Sequence, residues 1–306
     1  MTDGIYCLAN DNVYDWAVAF LASLQVVAPQ LPVVVIPYDH RVERLSGLRS
    51  LHPFEFWDDH ATLRMLDNVG RDVNPRSPRT FRKLAAFWGP FERFVFLDSD
   101  VIVSRGIDDV VAALDPSHPV FLCGDVDMDQ VLLPSPLRQQ VEDSGAVSGF
   151  NTGMFASSRD ALPRQVVLDS VSHVEPDRHW FVSGAQEQPF FNWCVWRSGL
   201  PVRQIAEAIP DASTYTGARR RPLRRSSDGT IRVFDQGSDD CGRRMLAVHW
   251  AGYRCTIRMP NRRLFLHYRL GQTPALEQAT FLARWSVGEP SVRAARLVAS
   301  RYRTTS

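Results

Sequence analysis

Residues 91–103 read FERFVFLDSDVIV, and this stretch narrows the fold more than any other in the chain. Phe94, Val95, Phe96 and Leu97 form an uninterrupted apolar run with no polar alternation. A short run of that kind is buried on both faces, which is the condition of a strand inside a parallel sheet. A second run, LPVVVIP at 31–37, is bounded by Pro and has the same character. Ile5–Leu8, Phe54–Trp57, Val120–Cys123, Gly149–Ala156 and Ala247–Trp250 read as further strands. Between them, Tyr14–Val27, Arg41–Ser50, Pro78–Trp88 and Glu187–Trp196 carry apolar residues at helical spacing. The β-α-β-α order predicts an α/β fold, with a mostly parallel central sheet flanked by helices.

The apolar run delivers Asp98 and Asp100 to the carboxyl end of its strand, the edge at which open α/β sheets bind ligands. Side chains two apart on a strand point the same way. Two carboxylates so placed repel each other unless a cation or a proton lies between them. An oxygen-rich site of this kind suits Mn²⁺ or Mg²⁺ together with substrate phosphates. A DxD in a polar loop is usually a solvated turn. Here FVFL before the pair and VIV after it bury both flanks and favour a metal clamp. GDVDMDQ at 124–130, with Asp125, Asp127 and Asp129, lies in a more polar stretch and reads as loop carboxylates.

Composition removes several function classes. The 306 residues carry a formal net charge of +1, so the molecule as a whole is not built to attract nucleic acid. No apolar run reaches the roughly 18 residues of a membrane span. MTDG at the start lacks the basic region of a signal peptide. The five Cys form no CxxC pair and read as reduced thiols, which with the preceding points gives the expectation of a soluble, cytoplasmic protein. Lys83 is the single Lys among 35 basic residues, so chemistry that needs a lysine elsewhere is excluded. GARRRPLRRSSDGT at 217–230 reads as a mobile loop.

Taken in order, four blocks resemble a GT-A-fold glycosyltransferase of the family 8 kind, which includes glycogenin and galactosyltransferases. They are the opening LANDNVYDW, then RTFRKLAAFWGPFERFVFLDSDVIV, then FNTGMF, and last the pair EQPFFN and HWAG. They span residue 5 to about residue 260. The resemblance implies one GT-A domain over 1–285, with a nucleotide-binding part to about 105 and a sugar and acceptor part after it. Residues 286–306 would form an amphipathic tail.

The resemblance also implies an activity: transfer of a sugar from a nucleotide-sugar donor, with uridine the favoured base, to an acceptor hydroxyl, with retention of anomeric configuration. The acceptor class is open among glycan, metabolite, lipid and peptide. Ala9, Asn10 and Tyr14 would hold the base and ribose, with Tyr14 stacking on the base. Lys83, Ser99 and Gly252 would lie along the donor. Asp98, Asp100 and His249 would bind Mn²⁺ or Mg²⁺. Asn151, Thr152 and Gly153 would line the transferred sugar, and Glu187 and Gln188 would stand beside the anomeric carbon. Each position also has a plainer reading: Tyr14 as a half-buried helix tyrosine, Lys83 as a surface lysine, His249 as a core histidine, Glu187 as an ordinary helix N-terminal acid.

The chain departs from the family pattern after His249, where no Lys follows to grip the diphosphate; Arg254 and Arg258 stand nearby, out of register. Three other classes compete. A haloacid-dehalogenase-type phosphatase would use Asp98 as nucleophile and Asp100 as acid, but it needs a later Lys that this chain lacks. A nucleotidyltransferase would carry Gly after the first strand, where LANDNVYD has none. A nucleotide-sugar-binding protein without turnover is the third.

Overall fold

A computed structural model describes residues 2–50, 52–145, 149–216, 222–227, 230–234, 236–256, 259–271 and 274–287. Its strands are β1 (Asp3–Ala9), β2 (Val33–Pro37), β3 (Glu55–Phe56), β4 (Arg93–Leu97), β5 (Val101–Val103) and β6 (Phe121–Cys123). They continue as β7 (Met154–Ser158), β8 (Val202–Gln204), β9 (Ala212–Thr216), β10 (Leu223–Arg225), β11 (Ile231–Val233) and β12 (Arg244–His249).

The main sheet has the order β3-β2-β1-β4-β7-β6-β8. β1, β2, β3 and β4 run parallel, and β7 is inserted antiparallel between β4 and β6. This is the mostly parallel sheet that the apolar runs predict. Its two faces follow from strand alternation. Ile5, Cys7, Val95 and Leu97 face one core with Phe20 and Leu24 of the Tyr14–Val27 helix. Tyr6, Leu8, Phe94 and Phe96 face the other, which holds a cluster of aromatic rings around Phe155.

A second sheet, β10-β11-β12-β5 with β9 on β12, stands beside the first. The chain passes from one sheet to the other at Asp98-Ser99-Asp100, between β4 and β5. The acidic pair therefore occupies a corner joining two sheets. A third core, with Trp16, Ile102, Val248, Trp250 and Phe265, packs the second sheet against the first helix and the Arg262–Gly271 helix.

Several sequence expectations change in detail. Pro78–Trp88 is helical, but it winds as an eleven-residue 3₁₀ segment, far longer than such turns usually run. Arg41–Ser50 reduces to two short turns, Glu43–Ser46 and Gly47–Ser50. The expected loop at 217–230 contains β10, which pairs antiparallel with β11; Arg219, Arg220 and Arg221 lie outside the described residues. Of the expected tail, 288–306 also lies outside them, and the last described helix is Ala275–Val287. None of the five cysteines is in a disulfide. Among the described residues no helix is long and apolar enough to cross a membrane.

Candidate active site

The corner is held by backbone hydrogen bonds before any side chain contributes. The Asp98 N–H donates to the Gly153 carbonyl at 2.8 Å, and the Val101 N–H closes a turn onto the Asp98 carbonyl at 3.1 Å. β12 runs antiparallel to β5 with His249 opposite Val101, and the Trp250 N–H donates to the Asp100 carbonyl at 3.0 Å. Alternation along β12 then sends His249 to the acidic corner and Trp250 into the third core. The turn behind them closes at Gly252, whose φ of 74° is the left-handed value that glycine adopts at least cost.

One oxygen of Asp98, one of Asp100 and one ring nitrogen of His249 lie within 4.8 Å of one another. His249 Nε2 is 3.2 Å from Asp100 Oδ1 and 3.8 Å from Asp98 Oδ2. The carboxylates keep 21% and 24% side-chain exposure, so the corner opens on one side to solvent. Behind it, Lys83 Nζ lies 2.9 Å from Asp98 and 2.8 Å from Glu187 Oε1. Lys83 is buried, so the surface reading fails: its ammonium sits between two carboxylates.

The protonation tendencies follow from crowding. Burial pushes the Asp98 carboxyl up; Lys83 and His249 oppose that, while Asp100 and Glu187 add to it. Burial acts the same way on Asp100, but His249, Lys83 and a backbone hydrogen bond together outweigh it and hold the carboxyl low. His249 rises because Asp100 and Asp98 overcome the burial that would lower it. Lys83 rises, since Asp98 and Glu187 outweigh its burial. Three carboxylates thus face one ammonium and one imidazole. Two carboxylate oxygens, one imidazole nitrogen and surplus negative charge fit a divalent, oxygen-preferring cation.

The remaining expected residues fall into two groups. Around the corner, the Thr152 hydroxyl donates to Glu187 Oε1 at 2.8 Å, and its N–H donates to Gln188 Oε1 at 3.1 Å. Gln188 Nε2 donates in turn to the Gln130 carbonyl at 3.2 Å. Asn151 Oδ1 accepts the Gly153 N–H at 2.8 Å. Gly153 lies under the imidazole: a Cβ there would stand 2.1 Å from His249 Cε1. Ser99 is buried between the two acids, and Gly252 is exposed on the turn after His249.

At the end of β1, Ala9 accepts the Tyr38 N–H at 2.8 Å. Asn10 is buried; its Oδ1 accepts the Asn12 N–H at 3.1 Å, and its side chain also hydrogen-bonds Asp39. Asp11 accepts the N–H groups of Arg44 and Leu45 at 3.1 and 3.0 Å, capping the Glu43–Ser46 turn. The polar strand end thus knits β1 to the loop after β2. Tyr14 is half-buried; the Arg44 guanidinium lies 3.9 Å from its ring centroid, and its hydroxyl bonds Glu277 at 3.4 Å.

Three participants escaped the sequence reading. Asp39 holds Asn10 and Arg41. Gln130 ties Asn151 to Gln188 from the segment read as solvated loop. Arg44 covers Tyr14. None sits at a motif spacing; the single available signal was their proximity in sequence to the strand ends. Of the two arginines near the missing lysine, Arg254 is exposed and Arg258 lies outside the described residues.

No family model and no curated protein matches the sequence. Solved structures do. An active-site mutant of LgtC aligns at a TM-score of 0.62 with 14% identity, over 90% of this chain and 97% of that one. The galactosyltransferase LgtC in complex with donor and acceptor sugar analogues gives 0.61 and 14%, again over 90% and 97%. Mouse xyloside xylosyltransferase 1 gives 0.55 and 14%, over 82% of this chain and 98% of that chain. The likeness is one of fold: the chain has the GT-A fold of these glycosyltransferases.

Proposed function

We propose that a chain with this fold and this corner transfers a sugar from a nucleotide-sugar, with a uridine diphosphate leaving group, to an acceptor hydroxyl with retention of configuration. The observation that carries the reading is the convergence of Asp98, Asp100 and His249 beside the buried Lys83–Glu187 pair, at the carboxyl edge of the sheet. The phosphatase alternative loses ground because Asp98 is already engaged by Lys83 and Glu187 is packed behind it.

Asp98, Asp100 and His249 would hold Mn²⁺ or Mg²⁺, which when bound supplies neutralising charge for a leaving diphosphate. Ala9, Asn10 and Tyr14 are assigned to the base and ribose, with Arg44 already on the tyrosine ring. Asn151, Thr152, Gly153 and Ser99 are assigned to the donor sugar and phosphates. Glu187 is buried and salt-bridged, which makes it a poor free nucleophile and favours front-face attack by the acceptor over a covalent intermediate. Its charge, with the Gln188 carbonyl, favours positive charge developing at the anomeric carbon. Lys83 fixes the position of both Glu187 and Asp98.

The test is release of nucleoside diphosphate from a panel of nucleotide-sugars with Mn²⁺, with and without chelator, in wild type and Asp100→Ala. Expected is release from one donor, cut at least about 100-fold by either treatment. Release that survives both, or a panel in which no donor raises the melting temperature, would sink the reading.

A further inference from the structure

The Arg-rich stretch of the second sheet has no part in the corner just described, yet it forms one wall of a large cavity. That cavity measures about 1000 Å³. Its lining includes Arg105, Arg224, Arg225, Arg262, Arg263 and His267. Among the described lining residues there is no carboxylate. The rest of the wall is largely apolar, with Val27, Leu223, Ile231, Met259, Leu264 and Tyr268. Ser104 and Arg105 follow the far end of β5 from Asp100, and Val26 and Val27 close the far end of the helix that Tyr14 begins. The cavity is thus a site apart from the acidic corner.

Two physical facts narrow its occupant. Five guanidinium-bearing residues around one concavity, in a chain of net charge +1, concentrate positive potential where low-dielectric walls focus it. Guanidinium forks match phosphate oxygens two at a time. The apolar wall, in turn, offers nothing to a small hydrated anion and favours an attached hydrocarbon body. Part of the rim is preset: the Arg224 guanidinium stacks 3.5 Å from the Phe234 centroid, and Arg105 donates to the Thr230 hydroxyl at 3.2 Å.

We infer that this cavity binds a phosphate-bearing amphiphile, its phosphate on the arginines and its apolar body on the Val27–Leu264–Tyr268 wall. The chemistry has two sources, a phospholipid in a bilayer or a free alkyl-phosphate metabolite, and the inference does not depend on the sugar-transfer reading.

The probe is dodecyl phosphate below its micellar concentration, measured by calorimetry against dodecyl maltoside and inorganic phosphate, on wild type and Arg105→Gln/Arg263→Gln. Dodecyl phosphate should bind at least tenfold tighter than either control, and the double variant should lose at least tenfold. Arg105→Lys/Arg263→Lys, which keeps the charges but not the forks, should bind between wild type and the glutamine variant, and unchanged circular dichroism melts should show that both variants fold. Flotation with phosphatidylglycerol vesicles, arginine-dependent and absent with phosphatidylcholine, would identify a lipid source. Binding of monomeric dodecyl phosphate without flotation would identify a soluble one. Equal binding of dodecyl maltoside, no dodecyl phosphate binding at millimolar concentration, or full binding by the double variant would overturn the inference.

Discussion

Gly153 and Lys83 show how single residues set the corner. Gly153 is small because His249 needs its space. A methyl group there would stand 2.1 Å from Cε1 and 2.6 Å from Nδ1 of the ring, and 2.9 Å from Asn151 Oδ1. Gly153→Ala should therefore displace the imidazole, with an overpacking cost of about 1–3 kcal/mol. Mn²⁺ affinity measured by electron paramagnetic resonance should fall at least tenfold; unchanged affinity would mean that the ring does not contact the metal. Lys83 acts through charge. Lys83→Met removes the ammonium from between Asp98 and Glu187 and leaves a buried glutamate unpaired. Breaking such a pair costs about 3–5 kcal/mol in urea unfolding. Lys83→Arg should not restore it, since a planar fork does not replace a compact ammonium in a pocket that leaves the lysine side chain 8% exposed. A loss below about 1 kcal/mol for Lys83→Met would refute the buried pairing.

Among elements, the pairing of β12 with β5 makes the three-residue cluster. One strand brings the acids, the other the histidine, and the register sets His249 against Val101. The C-terminal helices have their own connection to the start of the Tyr14–Val27 helix. Arg269, fully buried on the Arg262–Gly271 helix, lies 2.7 Å from Asp15 and 3.1 Å from Glu277, and Glu277 also meets the Tyr14 hydroxyl. Arg269→Ala should leave both acids without this partner and loosen the Ala275–Val287 helix from the first one. Hydrogen exchange should then speed up in 275–287 while β1 and β4 stay protected. Uniform protection in both segments would show that packing around Phe265 and Phe281 suffices.

For the whole molecule, pH dependence offers the broadest test. Burial favours a neutral Asp39, but the bonds from Arg41 and Asn10 outweigh it and lower its pKa from 3.8 to about 2. A folded-state pKa below the unfolded value means that ionised Asp39 stabilises the native state. That contribution is fully present above about pH 4 and is lost as pH falls through about 2. Asp39→Asn should flatten the acid limb of the stability curve between those values; a limb of unchanged slope would assign acid sensitivity to other groups.

Much of this molecule is written locally. Continuous apolar runs gave β1, β2 and β4 because a strand buried on both faces needs no alternation. The DxD was legible because the apolar flanks on both sides bury the strands that carry it to the corner. The apolar spacing of Pro78–Trp88 marks a helix but does not distinguish 3₁₀ from α, since the two windings share a similar apolar face over so short a stretch. The Arg, Ser and Pro content of 217–230 hides β10, a strand that exists through its pairing with β11.

By itself, then, the sequence determined the α/β class, the positions of the central strands along the chain and the acidic pair at a strand end, since each follows from periodicity within a few neighbouring residues. The tertiary structure alone decided that His249 faces Asp100, that Lys83 lies buried between Asp98 and Glu187, and that Gln130 and Asp39 brace the site. Those contacts join segments far apart in the chain. They depend on strand register and on charge compensation in a buried corner, and neither leaves a local pattern to read.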